Sequence, residues 1–212
     1  TYHESGDPRL GQVLARLDSL NPHHPQARLL RVRRHLDLGR TAVALAQLDT
    51  LLQINPVHLE ALGLKAAALF LADRLDESQA VQRLALDFNP FDSIVLRLAG
   101  QVASRRYRFA EGLRFQRLAL AVDESDNEAR LALALDLLRL GRDAEARQQL
   151  QRVFAADPYR VEAYNLLGVA EAMDSFRVLE RGLFALKMPA LEAQVLGEEM
   201  LDLLETAAGL YQ

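Results

Sequence analysis

The sequence contains no cysteine and no tryptophan. Without thiols there can be no disulfide, thiolate metal site or cysteine nucleophile. The compartment therefore stays open, because such a chain tolerates either redox environment; the cytoplasm is slightly favoured over the periplasm. Lysine is almost missing: Lys65 and Lys187 are the only two among 25 basic residues, and the rest are arginine. With abundant Leu and Ala, that bias suits a GC-rich bacterial genome. Charge of one sign does not dominate either. The net charge of -4 argues against a generally nucleic-acid-binding surface. There is no run of about 18 apolar residues, so no segment reads as a membrane-spanning helix. Neither an initiator Met nor a signal peptide opens the sequence, and a fragment of a longer protein is expected.

What is present is a period. Asn21-Pro22, Asn55-Pro56, Asn89-Pro90, Asp123-Glu124 and Asp157-Pro158 follow one another at steps of 34 residues. Proline cannot continue a helix, and the residue before it is biased away from helical dihedrals. Each pair marks a boundary. A weaker mark falls midway, at Leu38-Gly39-Arg40, Ala72-Asp73-Arg74, Arg106-Tyr107-Arg108 and Leu140-Gly141-Arg142. Each interval then holds two helices of about 12–14 residues joined by a tight turn. Pro8 and Pro25 suit first-turn positions. Ser125 and Glu128 have the spacing of a capping box for a helix starting near Asn127.

Small residues recur in register with this period: Ala66, Gly100, Ala134 and Gly168 at one position, Ala44, Ser78, Gly112 and Ala146 at a second, Ala85 and Ala119 at a third. Together with Tyr164-Asn165-Leu166-Leu167-Gly168 and the Leu140-Gly141-Arg142 to Glu145-Ala146 segment, they resemble the tetratricopeptide repeat family. The departures are Leu51 and Val153 in place of Ala, and Gln82 at a usually aromatic position. The resemblance covers roughly residues 8–173. It implies an all-α, right-handed α-solenoid: a half repeat, four full repeats and the first helix of a fifth in residues 1–173, followed by an extension over residues 174–212.

A fifth repeat would place Glu180 and Lys187 at close-packing positions, where burying charge is costly, so the repeats should end near residue 173. Alternating apolar residues around 176–188, with Arg181-Gly182 as a turn, favour a short β-hairpin, a short helix being nearly as plausible. From Pro189 an amphipathic helix is expected, with Leu196, Met200, Leu203, Ala207 and Tyr211 on its packing face and Glu198, Asp202 and Glu205 opposite. Residues 176–211 also resemble the lead-in of a bacterial gluzincin-type (peptidase MA-like) metallopeptidase, a family that often carries such repeats in front. Its zinc-binding His-Glu-x-x-His occurs nowhere here, so no catalytic residue carries over.

No residue pattern points to catalysis, a metal or a cofactor. His23-His24 lies between two prolines without the spacing of a metal pair, and His3 and His58 stand alone. His35 falls where the repeat is normally apolar and reads as a packed histidine. No Ser-His-acid arrangement, nucleophile elbow or phosphate loop occurs. By the resemblance, the first helix of each repeat lines a concave groove. The residues so placed include Leu29 and Arg33, Ala67 and Phe70, Arg97 and Gln101, Leu131 and Leu135, and Asn165. An apolar floor with a few arginines suits an extended or helical peptide. The family's two-carboxylate clamp for chaperone tails is absent, its positions holding Leu29 and Arg33, then Gly63 and Ala67. Residues 93–122 carry six arginines against Glu111, a basic patch read as a solvated ridge or a match to an acidic partner rather than a nucleic-acid surface. The expected function is a non-catalytic protein–protein interaction scaffold that binds an unidentified peptide or protein, with no nucleic-acid or membrane partner. Self-association through the C-terminal helix is a further expectation. The alternative is the non-catalytic front of a larger zinc metallopeptidase whose catalytic domain lies beyond Gln212.

Overall fold

The computed structural model describes residues 8–21 and 24–210. Ten helices come first: α1 (Pro8–Leu20), α2 (Pro25–Asp37), α3 (Thr41–Ile54), α4 (Leu59–Leu71), α5 (Leu75–Phe88), α6 (Ile94–Arg105), α7 (Phe109–Val122), α8 (Asn127–Arg139), α9 (Asp143–Ala156) and α10 (Val161–Ala172). A 3-10 turn (Met173–Ser175) leads into strands β1 (Phe176–Arg181) and β2 (Phe184–Pro189), and the long helix α11 (Ala190–Gly209) follows. The fold is thus a helical-repeat solenoid with a two-stranded hairpin and a C-terminal helix. The packing divides it into two units, residues 1–141 and residues 142–212. Tyr211, Pro22, His23 and His3 lie outside the described residues.

The 34-residue boundaries are built by side chains. Asn55, Asn89, Asp123 and Asp157 each turn the side-chain oxygen onto the backbone N–H two residues on, at 3.2, 3.2, 2.8 and 3.1 Å. The same residue's carbonyl accepts from the N–H three residues on. This Asx turn recurs at Asp123, where Glu124 stands in place of proline. The common element is therefore the short polar side chain, which offers the backbone a local alternative to helix. Ser125 does not cap α8 as the Ser125–Glu128 spacing suggested. Its hydroxyl donates to the Asp123 carboxylate at 2.6 Å, and Asp126 is the N-cap, accepting from the Ala129 N–H at 2.9 Å.

The midway turns share one conformation. Gly39, Asp73, Tyr107 and Gly141 all have positive φ, at 72°, 55°, 62° and 70°. Each N–H closes the preceding helix on the carbonyl three residues back, and the N–H after Gly39, Asp73 and Tyr107 returns to the carbonyl five back. Such C-terminal motifs satisfy carbonyls that the helix end would leave open. Glycine adopts the left-handed region freely, whereas a side chain there costs about 1–2 kcal/mol.

In unit 1, α4 is the central helix, with nine of its 13 residues buried. A Cβ added at Gly63 would lie 3.1 Å from the Val95 Cα and 2.9 Å from Leu98 Cδ1, so α4 and α6 nearly touch through their backbones. The same closeness sets the α6/α7 pair: a Cβ on Gly100 would meet the Gly112 carbonyl at 3.1 Å, and one on Gly112 the Gly100 carbonyl at 3.2 Å. In the α4/α5 pair, Ser78 occupies the equivalent place and donates to the Ala66 carbonyl at 2.8 Å. Phe70 meets Phe115 edge to face at 5.1 Å between centroids, worth about 0.5–1.5 kcal/mol beyond the area it buries.

In unit 2, β1 and β2 pair antiparallel from Phe176–Pro189 to Arg181–Phe184, with the left-handed Gly182 (φ 57°) in the turn. Lys187 bonds the Asp143 carboxylate rather than entering a repeat core, and Arg147 pairs with Asp174. The helix from Ala190 forms, but it buries a different face from the one expected. Ala193, Gly197 and Leu201 are buried and Leu204 partly so, while Leu196, Met200, Leu203 and Ala207 are exposed. A Cβ on Gly197 would sit 2.2 Å from Leu179 Cδ1, so small residues let the helix lie against the hairpin. The apolar arc of α11 is wide enough for two such rows, and close approach selects the one with small side chains. Glu198 and Asp202 form ion pairs with Arg181 of the hairpin.

Tyr107 is 84% exposed, and its ring meets that of Phe109 edge to face at 5.9 Å between centroids. Tyr107→Gly relieves left-handed strain but gives up that contact, and is expected to raise unfolding stability by less than about 1 kcal/mol. Gly141→Ala, whose Cβ would meet nothing within 4 Å, should lower it by about 1 kcal/mol. Urea titrations of both variants check this.

Candidate functional site

The first-helix residues expected to line a groove divide by burial. Leu29, Ala67, Phe70 and Leu131 are buried, packed among the helices of unit 1. Arg33, Arg97, Gln101 and Leu135 are partly exposed, and Asn165, in unit 2, is exposed. The first three repeats close over their own inner face. Arg106 Nη1 donates to the Asp37 carbonyl at 3.3 Å, and Arg105 Nε lies 3.7 Å from the Asp37 carboxylate, so α2 and α6 meet across α4. Only a helix as thin as α4, with Gly63, Ala66, Ala67 and Ala68, permits that. The clamp positions Gly63 and Ala67 are thereby taken up by the core.

The open part of this face lies on α6 and α8. Arg97 Nε donates to Asp126 Oδ2 at 3.0 Å, and Ser93 bonds the same carboxylate. The arginine is thus held by the N-cap of α8 rather than free to swing. Gln101 lies one turn on, and Leu135 and Leu138 are half-buried on α8. Behind them sits a polar core that sequence reasoning missed. Ser104 Oγ donates to Asp136 Oδ2 at 2.6 Å, in space that a Cβ on Gly112 would fill. Burial pushes the Asp136 carboxyl above its usual range, against the lowering effects of Ser104 and Arg139.

At least three of the six arginines of the basic stretch 93–122 stand in ion pairs. Arg97 meets Asp126, Arg105 meets Asp37, and Arg108 meets both Asp73 and Glu111. Each partner but Glu111 comes from another repeat, which sequence proximity could not reveal.

A second cleft, of about 590 Å³, lies between α5 and α7. Phe70, Phe115, Leu75 and Leu118 give it a mostly apolar lining, which includes the charged side chains Arg108, Glu111 and Arg114. The Arg108 guanidinium stacks 4.2 Å above the Phe70 ring, and that of Arg114 stands 5.6 Å from the Phe115 ring. Gln82, where the family usually has an aromatic, lines the cleft and donates to Ser78 Oγ at 3.1 Å. The departure at Gln82 was the one sequence signal of this opening. In unit 2 a smaller cleft of about 430 Å³ borders α10, including Phe154, Tyr164 and Gly168. Nothing approaches a Cβ at Gly168, where the second helix of a fifth repeat would pack.

No group of three or more His, Cys, Asp or Glu able to hold a metal occurs among the described residues. No described helix is long and apolar enough to cross a membrane. His35 is partly buried, its Nε2 3.4 Å from Gln47 Nε2. Burial, then Arg40 and Arg34, holds its pKa below the ordinary value of 6.5. The unfolded chain therefore binds a proton more readily than the folded one, so this contribution to stability is complete above pH 6.5 and declines as pH falls through it. Thermal melts at about pH 7.5 and about pH 5.5 should show a drop that His35→Leu reduces.

No curated protein sequence matches this chain. Among solved structures, a thermophilic tetratricopeptide repeat protein of Thermus thermophilus is 23% identical, with 76% of this chain and 88% of that one covered and a TM-score of 0.53. A tetratricopeptide repeat protein from Parabacteroides merdae is 20% identical, over 78% of this chain and 66% of that one, with a TM-score of 0.50. At such identity these likenesses speak for the fold alone. The tetratricopeptide repeat family model matches residues 29–93 and 131–175, more than half of the sequence. With its 34-residue turns and close-packed helix pairs, the chain belongs to the tetratricopeptide repeat family.

Proposed function

We propose that the chain is a non-catalytic interaction scaffold that binds a peptide or protein segment along its first helices, chiefly on α6 and α8. The observation that carries this reading is a face that holds a fixed cation at the start of α6 and half-buried leucines towards the end of α8. Arg97, braced by Asp126, and Gln101 stand on α6, with half-buried Leu135 and Leu138 on α8. A preorganised guanidinium loses little freedom on meeting a carboxylate or carbonyl, and the leucines supply affinity. Arg33 on α2 is an accessory contact in this reading. Leu29, Ala67, Phe70 and Leu131 support the face from beneath. Residues 1–173 form the binding region and residues 174–212 an extension to it.

Panning a random peptide library on the full chain should yield binders whose affinity Leu135→Glu weakens more than about tenfold. Circular dichroism should stay unchanged. Equal binding to Leu135→Glu would rule the α8 face out.

A second reading is favoured by the hairpin and α11, which form a packed element apart from the repeats, in the order the peptidase lead-in resemblance implies. In it, the chain is the non-catalytic front of a larger zinc metallopeptidase. Sequencing the gene past Gln212 tests it: a His-Glu-x-x-His is required, and an open reading frame without one removes the idea.

A further inference from the structure

Two apolar surfaces are left without a cover, and their charges are opposite. On α11, Leu196, Met200 and Leu203 are exposed, the last to 62%. Glu192, Leu196, Glu199 and Leu203 follow steps of four, three and four, so two carboxylates stand in the same exposed row as the leucines. This helix carries five acidic residues and no basic one. Glu198 and Asp202 face Arg181, and Glu205 lies 3.7 Å from it, which leaves Glu192 and Glu199 as the acids of the open face. The other surface is the α5/α7 cleft of unit 1, whose mostly apolar lining includes the charged side chains Arg108, Glu111 and Arg114. Arg108 is engaged by Asp73 and Glu111, whereas Arg114 is exposed over the Phe115 ring.

We propose that the α5/α7 cleft of one copy receives the Leu196–Met200–Leu203 face of α11 from a second copy, with Glu199 meeting Arg114. The cleft, at about 590 Å³, falls within the range of pockets that enclose several apolar groups, roughly 300–1,000 Å³. An amphipathic helix laid in an apolar groove is an established mode of association, and the opposite charges fix its register. One such contact joins two copies of the chain. The proposal uses a face separate from the α6/α8 surface and does not depend on it.

Sedimentation equilibrium of the full chain over a wide concentration range tests the idea. The weight-average mass should rise from monomer towards dimer. Leu203→Glu and Arg114→Glu should each weaken association more than about tenfold, since each places a charge against apolar surface or like charge. Adding Glu199→Arg to Arg114→Glu should recover most of the loss. All these positions are exposed, and far-UV circular dichroism verifies the fold of each variant. A mass that stays monomeric at every concentration overturns the proposal. So does association that Leu203→Glu abolishes but Arg114→Glu leaves intact, because α11 would then meet another surface.

Discussion

How closely two backbones can approach decides most of this molecule. Where Gly100 faces Gly112, a single added methyl on either would meet the other's carbonyl within 3.2 Å. The equivalent pair Ala66 and Ser78 is close enough for a side-chain hydroxyl to reach a helix carbonyl. Helices with such seams can stack directly, and the small residues Gly63, Ala66, Ala67 and Ala68 of α4 accompany the contact of Arg106 with Asp37 of α2. That contact consumes much of the inner face that the repeat architecture would otherwise leave open. What stays partly open of this face in unit 1 includes Arg97 and Gln101 on α6 and Leu135 and Leu138 on α8. The same constraint operates in unit 2, where Gly197 brings α11 onto Leu179 and turns the neighbouring leucines outward.

Charge follows from this packing rather than leading it. The arginines of α6 and α7 lie among acids far away in sequence, such as Asp37, Asp73 and Asp126. Even Arg97 and Asp126, the nearest of these pairs, are 29 residues apart. A stretch that looks strongly basic in one dimension is therefore partly neutralised in three, at Arg97, Arg105 and Arg108. Arg97 shows the link: the carboxylate that caps α8 also fixes the guanidinium at the start of α6. Asp126 thus joins helix formation to the placement of a charged side chain from another repeat.

Polar groups that depart from the family pattern have structural consequences of two kinds. Ser104 and Asp136 fill the void that Gly112 leaves, making a buried polar pair instead of a cavity. Gln82 does not fill the space that an aromatic ring occupies in most repeats, and a cleft remains between α5 and α7. Ser104 lies in residues 94–130, which the family model leaves unmatched, whereas Gln82 and Asp136 fall in matched segments.

The sequence alone determined the helix pairs, their turns and the end of the repeats. Those features rest on local chemistry: Asx side chains, left-handed turn residues and the cost of placing Glu180 and Lys187 in a core. It also carried the hairpin, through alternation around Gly182. Only the tertiary structure decided which side of α11 is buried, because a wide apolar arc offers two rows and small residues choose between them. It alone assigned Leu29, Ala67, Phe70 and Leu131 to the core. Their repeat positions are the same in any member of the family, whereas their exposure depends on how tightly α2, α4 and α6 close, which is a sum of contacts far apart in the chain.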